Sequence, residues 1–309
     1  MARQGEQFAT NLWAPRYWLT WLVVGVFRLA ILLPYAWQLA MGRGIGSLAF
    51  RLFKRQRCIA ATNLQLCFPA MDATERERRV RECFASVGMM FFEMPLAWWG
   101  SEKKLRDLVQ VEGLEHLQRS LDDGRGVILF TAHFATLEIS ARLANLQRPI
   151  SVSYRVDRNP VFNRLAFLGR SRHYQEVTSR DDVRALIRGL RSGGVLWFAP
   201  DENFPRDNRV IADFMGVPAA TNPATARFAR LGGAQVVPYA ALRKTDGSGY
   251  RLVFLPPLER FPSGDSEVDA KRINDALSAL VSEAPEQYLW IQKRFLHGAE
   301  GQLDTYDHC

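Results

Sequence analysis

The sequence predicts an α/β fold in which a central, mainly parallel or mixed sheet is flanked by helices and preceded by an N-terminal membrane helix. Three observations predict it. Beyond Gly124, short apolar runs alternate with amphipathic stretches, the order of a sheet with helices on its faces. Gly193–Gly194 and Gly232–Gly233 stand directly before apolar runs, where helix C-caps belong. Residues 18–33 read WLTWLVVGVFRLAILL, with Arg28 as the one charge. A chain of 309 residues, 48% hydrophobic and 23% charged, can build a sizeable core, which excludes disordered, collagen-like and disulfide-scaffold classes.

The N-terminal run has Tyr17, Trp18 and Trp21 at one end and Tyr35 and Trp37 at the other, the aromatic flanks of a bilayer segment. A spanning helix needs about 20 apolar residues, so a span here requires continuation through Pro34–Met41, with Arg28 snorkelling or facing protein. An interfacial helix, or a buried helix of a soluble protein, is the alternative. No basic region directly precedes the run and no small-x-small site follows it, so a cleaved signal peptide fits poorly. Arg3 and Arg16 precede the run, whereas Arg43, Arg51, Lys54, Arg55 and Arg57 follow it, and the positive-inside rule puts the body in the cytoplasm. The chain divides into an anchor (1–45) and a body (46–309), helical over 59–120 and α/β over 124–300.

In the helical part Val80, Cys83, Phe84, Val87 and Phe91 recur at helical spacing, and Pro95 should kink or end that helix. Strands are expected at GVILF (126–130), PISVSYR (149–155), VLWFAPD (195–201), AQVVPYAAL (234–242) and YRLVFLPPL (250–258). Helices are expected at LEISARLANL, NPVFNRLAFLGR, DVRALIRGLRSGG and PATARFARLGG. The last segment, INDALSALVSEAPEQYLWIQKRF, reads as a closing helix and a short aromatic-basic stretch. Cys58, Cys67, Cys83 and Cys309 lie far apart without a C-x-x-C pair or a histidine at metal-ligand spacing, and read as free thiols in a reducing compartment.

Forty Lys and Arg against 32 Asp and Glu give a net charge of +8, which favours anionic partners: nucleic acid, phospholipid headgroups, phosphorylated substrates or an acidic carrier protein. Nucleic acid ranks last, because the basic residues are dispersed and an apolar anchor argues for lipid. Lys54, Arg55, Arg57, Lys293 and Arg294 read individually as solvated surface charges or as contacts to an anionic partner.

Ligands of open α/β sheets bind beyond the carboxyl ends of strands, and three such ends carry candidates. His133 follows the first run with Glu138 five residues on, Arg155 ends the second, and Asp201 ends the third. Five residues on a continuous helix separate side chains by about 140°. His133 and Glu138 therefore meet only if the histidine sits in the turn and the acid in the first turns of the helix. A carboxylate there would fix the ring tautomer and raise the basicity of the other nitrogen, making the histidine a general base. The plainer reading of His133 is a satisfied core or turn residue. Arg155 pairs either with a substrate anion or with Asp201, and Asp201 reads as the partner of a cation rather than a chemical participant. His116, His173, His297 and His308 lack a comparable setting.

Several stretches together resemble the late acyltransferases of lipid A biosynthesis, especially the lauroyl type: PRYWLTWLVVGVFRLAILLPY, NLQLCFPAM, FASVGMM, TAHFATLE, YRVDRNP, WFAPDEN, VVPYAALR and PEQYLWIQKRF. The likeness runs from about residue 14 to residue 298. One departure is Phe204-Pro205-Arg206, where the family has a loop resembling Tyr-Gly-Pro-Arg. The resemblance implies a glycerolipid-acyltransferase-like fold, a catalytic pair His133 and Glu138, and substrate-binding Arg155, Arg170 and Asp201, with neither metal nor cofactor. It further implies acyl transfer from acyl carrier protein to the hydroxyl of a 3-hydroxyacyl chain on a Kdo-bearing lipid A precursor. The expected setting is the cytoplasmic side of the bacterial inner membrane, among its phospholipids. Rival readings are a glycerol-phosphate-type acyltransferase, which usually has Asp at position 138, a metal-dependent hydrolase, and a noncatalytic lipid-binding protein.

Overall fold

The computed structural model describes residues 11–154, 159–204, 207–296 and 305–309. Four helices come first: α1 (Trp18–Ala30), α2 (Tyr35–Leu52), α3 (Lys54–Cys67) and α4 (Ala73–Trp99). The apolar N-terminal run is therefore interrupted: α1 has 13 residues, and Pro34 sits at the N-cap of α2. At about 1.5 Å per residue, α1 falls short of the ~30 Å hydrocarbon core. Among the described residues no helix is long and apolar enough to cross a membrane, so the expected membrane-spanning helix is not supported. The two helices instead leave an apolar face uncovered: Leu19, Leu22, Val26 and Leu29 of α1, one helical stripe, are each more than half exposed, as are Trp18 and Trp37.

Helix α4 starts on Asp72, whose side chain accepts from the Glu75 backbone N–H. It does not end at Pro95 but runs on to Trp99, and Phe92, Leu96 and Trp98 bury its last turns. Helices α2 and α4 pack backbone to backbone through Gly42, Gly46 and Gly88. A Cβ on Gly46 would collide with the Phe84 carbonyl, and one on Gly88 with the Gly42 carbonyl.

The rest alternates strand and helix: α5 (Glu102–Asp107), β1 (Val109–Glu112), α6 (Leu114–Asp122), β2 (Val127–Phe130), α7 (Leu137–Asn145), β3 (Ser151–Tyr154), α8 (Pro160–Ser171), β4 (Glu176–Ser179), α9 (Val183–Arg191) and β5 (Val195–Phe198). There follow β6 (Val210–Phe214), β7 (Val217–Thr221), α10 (Ala224–Gly232), β8 (Gln235–Arg243), β9 (Tyr250–Phe254) and α11 (Ser266–Glu283). The seven-stranded sheet has the order β1-β9-β8-β2-β5-β3-β4, parallel except for β8 against β9. The expected mixed, mostly parallel sheet is present.

All four residues of β2 are buried, as in a parallel strand covered on both faces. Ile128 and Phe130 join a cluster with Leu64 of α3, Leu190 of α9, Phe228 of α10 and Leu277 of α11. Val127 and Leu129 join the opposite cluster with Leu39 of α2, Leu96 of α4, Leu117 of α6 and Leu143 of α7. That two-sided cover explains why β2 reads as a continuous apolar run rather than an alternation.

Strand β1 lies inside the stretch expected to be helical. Strands β6 and β7 form a hairpin that the sequence pattern did not announce, turning at Met215 and Gly216, both with positive φ. The cysteines divide: Cys67 and Cys83 are free and buried, with thiols pushed up to about 12 by burial, whereas Cys58 and Cys309 form a disulfide. The reading of four free thiols is corrected at that pair, because the fold returns the end of the chain to α3.

Candidate active site

Strands β2 and β5 are parallel neighbours with Phe130 opposite Phe198. His133 and Asp201 each lie three residues beyond that pair, so the sheet delivers them side by side at its carboxyl edge. The Asp201 carboxylate grips the histidine twice. One oxygen accepts from the His133 backbone N–H at 2.9 Å, and the other lies 2.6 Å from ring Nδ1. With Nδ1–H donating to the carboxylate, Nε2 is left as the acceptor and the ring is fixed in one tautomer. Nε2 is 3.6 Å from Glu202 Oε1. The His133 side chain keeps 16% of its surface exposed while that of Asp201 keeps 1%, so the ring is reachable and its partner is sealed.

Electrostatics follow the geometry. Burial of the ring opposes its charged form, but the Asp201 charge and hydrogen bond, helped by Glu202, outweigh burial and hold His133 above its ordinary pKa. Burial would likewise push Asp201 up. The His133 charge and hydrogen bonds, with the Arg294 charge, carry it below the usual carboxylate range instead.

The loop bearing His133 is clamped by the segment after α11. The Leu289 N–H donates to the His133 carbonyl at 3.0 Å and the Ala135 N–H to the Gln287 carbonyl at 2.7 Å, so Phe134 and Tyr288 pair like strand residues. The Gln287 side chain in turn accepts from the Arg243 N–H and donates to the Arg243 carbonyl. Thr136 Oγ1 donates to the Ala241 carbonyl at 2.6 Å, tying the start of α7 to β8. The aromatic-basic stretch is therefore the brace of the histidine loop.

Glu138 sits in the first turn of α7, as its spacing from His133 requires, but its partners are different. Arg170, near the end of α8, donates Nε to Oε1 at 2.9 Å and Nη2 to Oε2 at 2.5 Å. Trp98 Nε1 donates to Oε1 at 2.6 Å. Burial would raise the Glu138 pKa, yet Arg170 and the Trp98 hydrogen bond bring it below its ordinary value. The structure thus brings His133 together with Asp201 and Glu138 together with Arg170, and it does not pair His133 with Glu138. The reason is topological: the neighbouring parallel strand ends beside the histidine, while α8 and the end of α4 saturate the glutamate. Asp201 pairs with the histidine; Arg155, the other partner considered for it, lies outside the described residues together with Arg206 and His297.

Glu202, Trp98, Gln287 and Tyr288 were not singled out in the sequence, although each stands inside or beside a motif that was. Arg294, read there as a surface charge or a contact to an anionic partner, is 3% exposed. Among the described residues, Cys58, His308 and Cys309 place potential metal-ligand atoms within 4.8 Å of one another, but the two sulfurs are joined in the disulfide.

Comparison with known proteins identifies the family. Residues 6–297 match the family described as bacterial lipid A biosynthesis acyltransferase. The chain is 39% identical over 301 residues to a lipid A biosynthesis lauroyltransferase of Escherichia coli K12, covering 97% of this chain and 98% of that protein. It is 36% identical over 301 residues to the palmitoleoyltransferase of the same strain, covering 97% and 98%. With the myristoyltransferase it shares 30% identity over 305 residues, covering 97% and 94%. The chain belongs to the bacterial lipid A biosynthesis acyltransferase family and is an acyltransferase.

Proposed function

We propose that this enzyme transfers a fatty acyl chain, lauroyl foremost, from the thioester of acyl carrier protein to the hydroxyl of a 3-hydroxyacyl chain on a Kdo-bearing lipid A precursor. Transfer is direct. His133 Nε2 takes the hydroxyl proton as the alcohol oxygen attacks the thioester carbonyl. The C–S bond then breaks, and the departing sulfur takes the proton from the imidazolium. The observation that carries this reading is the accessible ring whose Nδ1 is committed to a sealed carboxylate, which leaves Nε2 as the base.

Asp201 takes the steadying role that spacing had given to Glu138, so it acts on the ring rather than on the substrate. The Glu138–Arg170 pair is a substrate-side element: Arg170 uses Nε and Nη2 on the glutamate, and its side chain stays 23% exposed, with Nη1 directed to an anionic group of the acceptor. Arg155 is proposed to meet a substrate anion as well. The uncovered apolar face of α1 and α2 supports docking on inner-membrane phospholipids from the cytoplasmic side, lying in the interface rather than crossing it.

The test is transfer of label from acyl carrier protein thioester to the lipid A precursor, followed by mass spectrometry of the product for chain and position. General-base catalysis typically contributes about 10²- to 10⁴-fold, so His133→Ala should lose that much in kcat while still folding. A folded His133→Ala enzyme with near-native rate overturns the reading.

A further inference from the structure

Charges on α4 and α11 are neutralised within their own helix. Arg78 pairs with Glu75 and Glu82, Arg81 with Glu77, and Lys271 with Asp275. Helices α9 and α10 break that pattern, since neither VRALIRGLR nor ATARFARLG contains an acid. Arg184, Arg188 and Arg191 stand at i, i+4 and i+7 on α9, Arg227 and Arg230 stand at i and i+3 on α10, and all five are exposed. None of them has an ion pair among the described residues. The acids preceding α9 are Asp181 and Asp182, and Asp182 is spent capping the helix through the Ala185 N–H. The two helices pack side by side: a Cβ on Gly232 would meet the Leu190 side chain, and Arg191 Nε donates to the Leu231 carbonyl at 2.9 Å. Their outer faces therefore make one field of positive charge, and like charges held together without acids between them repel until an anionic surface covers them. Arginine, with its planar fork of donors, is suited to carboxylates.

The position of this face selects among anionic partners. Helices α9 and α10 cover the sheet face shared with α3 and α11, through Leu186, Leu190 and Phe228. The exposed apolar stripe of α1 lies on the other side, where Ile31, Tyr35 and Leu39 enter the opposite cluster. A bilayer beneath α1 therefore meets the molecule away from the arginines. No exposed aromatic side chain stands among them on which a nucleobase could stack. The face does adjoin the candidate active site. Phe228, between the two arginines of α10, lies 5.7 Å from Phe198 between ring centroids, and Phe198 ends β5 just before the segment that carries Asp201. We infer that the arginine face of α9 and α10 is the docking surface for an acidic protein, which brings its cargo to the carboxyl edge of the sheet where His133 stands. For the identity of that partner, acyl carrier protein, the inference rests on the proposed function.

The experiment measures binding of holo acyl carrier protein, carrying no acyl chain, to the full-length enzyme by fluorescence anisotropy, together with KM for its lauroyl thioester. Wild type is set against a triple variant, Arg184→Glu, Arg188→Glu and Arg227→Glu. A control, Arg106→Glu, Arg119→Glu and Arg148→Glu, makes the same change in net charge at exposed positions on the other side of the sheet. The arginine-face variant should bind the carrier at least about tenfold more weakly, with KM raised in parallel, kcat at saturating donor near wild type and a flatter salt dependence. The control should stay within about twofold. A milder variant, Arg188→Gln with Arg227→Gln, should move in the same direction and guards against misfolding. Unchanged carrier binding in the folded variants, an equal loss in the control, or failure of both arginine-face variants to fold overturns the inference. So does loss of anionic-vesicle binding with carrier binding intact, which would assign the face to lipid. If wild type neither binds the carrier nor accepts its acyl chain, the donor reading fails and this surface with it. If wild type does both and only the arginine-face variants are indifferent, the docking surface alone fails.

Discussion

Asp201→Asn and Glu138→Gln, made side by side, separate the two carboxylates that compete for the role of steadying His133. Each substitution removes a charge while nearly keeping shape. Asp201 accepts both the His133 backbone N–H at 2.9 Å and the ring at 2.6 Å, whereas the hydrogen bonds of Glu138 run to Arg170 and Trp98. Charges about 4 Å apart at an effective dielectric near 20 interact with ~4 kcal/mol, and one pKa unit corresponds to about 1.4 kcal/mol. Burial of the ring is common to wild type and variant, so it does not cancel this loss. The His133 pKa, raised in the native enzyme, should therefore fall by roughly three units in Asp201→Asn. Because the reactive form is the neutral ring, the acid limb of kcat/KM should move to lower pH. The plateau rate should nevertheless drop by about 10²- to 10⁴-fold, since an amide can hold the wrong tautomer. Glu138→Gln should leave the acid limb in place and weaken KM instead, through a freed Arg170. The assay is the pH profile of transfer from acyl carrier protein thioester to the lipid acceptor, with thermal melting as the folding control. An acid limb that moves in Glu138→Gln and stays fixed in Asp201→Asn would refute the reasoning.

Two further outcomes are expected. Gly46→Val should push α2 from α4, because its Cβ would meet the Phe84 carbonyl, and should lower stability by on the order of 1–3 kcal/mol in urea unfolding. Gly44→Ala, with open space around the added carbon, serves as its control. If α1 docks in the lipid interface, Leu19→Ser with Leu22→Ser should weaken binding to anionic vesicles at least tenfold in a sedimentation assay, since each buried leucine contributes about 1.5–3 kcal/mol. Equal binding of the double variant and wild type would remove that face from the membrane reading.

Much of the fold is legible in the sequence because its signals are local. The apolar runs that became β2, β3, β5, β8 and β9 are short and bounded, and Gly193 and Gly233 do adopt the positive φ that ends a helix before a strand. Strands β1 and β4 escaped notice because VQVE and EVTS carry few apolar residues and pair at or near the edges of the sheet. The β6–β7 hairpin turns on Met215 in a left-handed conformation, and methionine gives no warning of that. The apolar N-terminal run was read as one helix because composition is blind to the break before Pro34.

At the site, the sequence by itself determined that a histidine and a carboxylate each stand just past a strand end, because strand boundaries and the residues just beyond them are written in order along the chain. It could not determine which acid meets the ring. His133 and Glu138 are neighbours in sequence, yet the sheet register sets Asp201 beside the histidine across 68 residues. In the same way only the folded chain buries Arg294, which lies in a charged, surface-like stretch, and joins Cys58 to Cys309 across 251 residues. Local spacing fixes which residues a single element presents, whereas partners on different elements are chosen by how strands pair and helices pack, information that is spread over the whole chain and carried by no one segment.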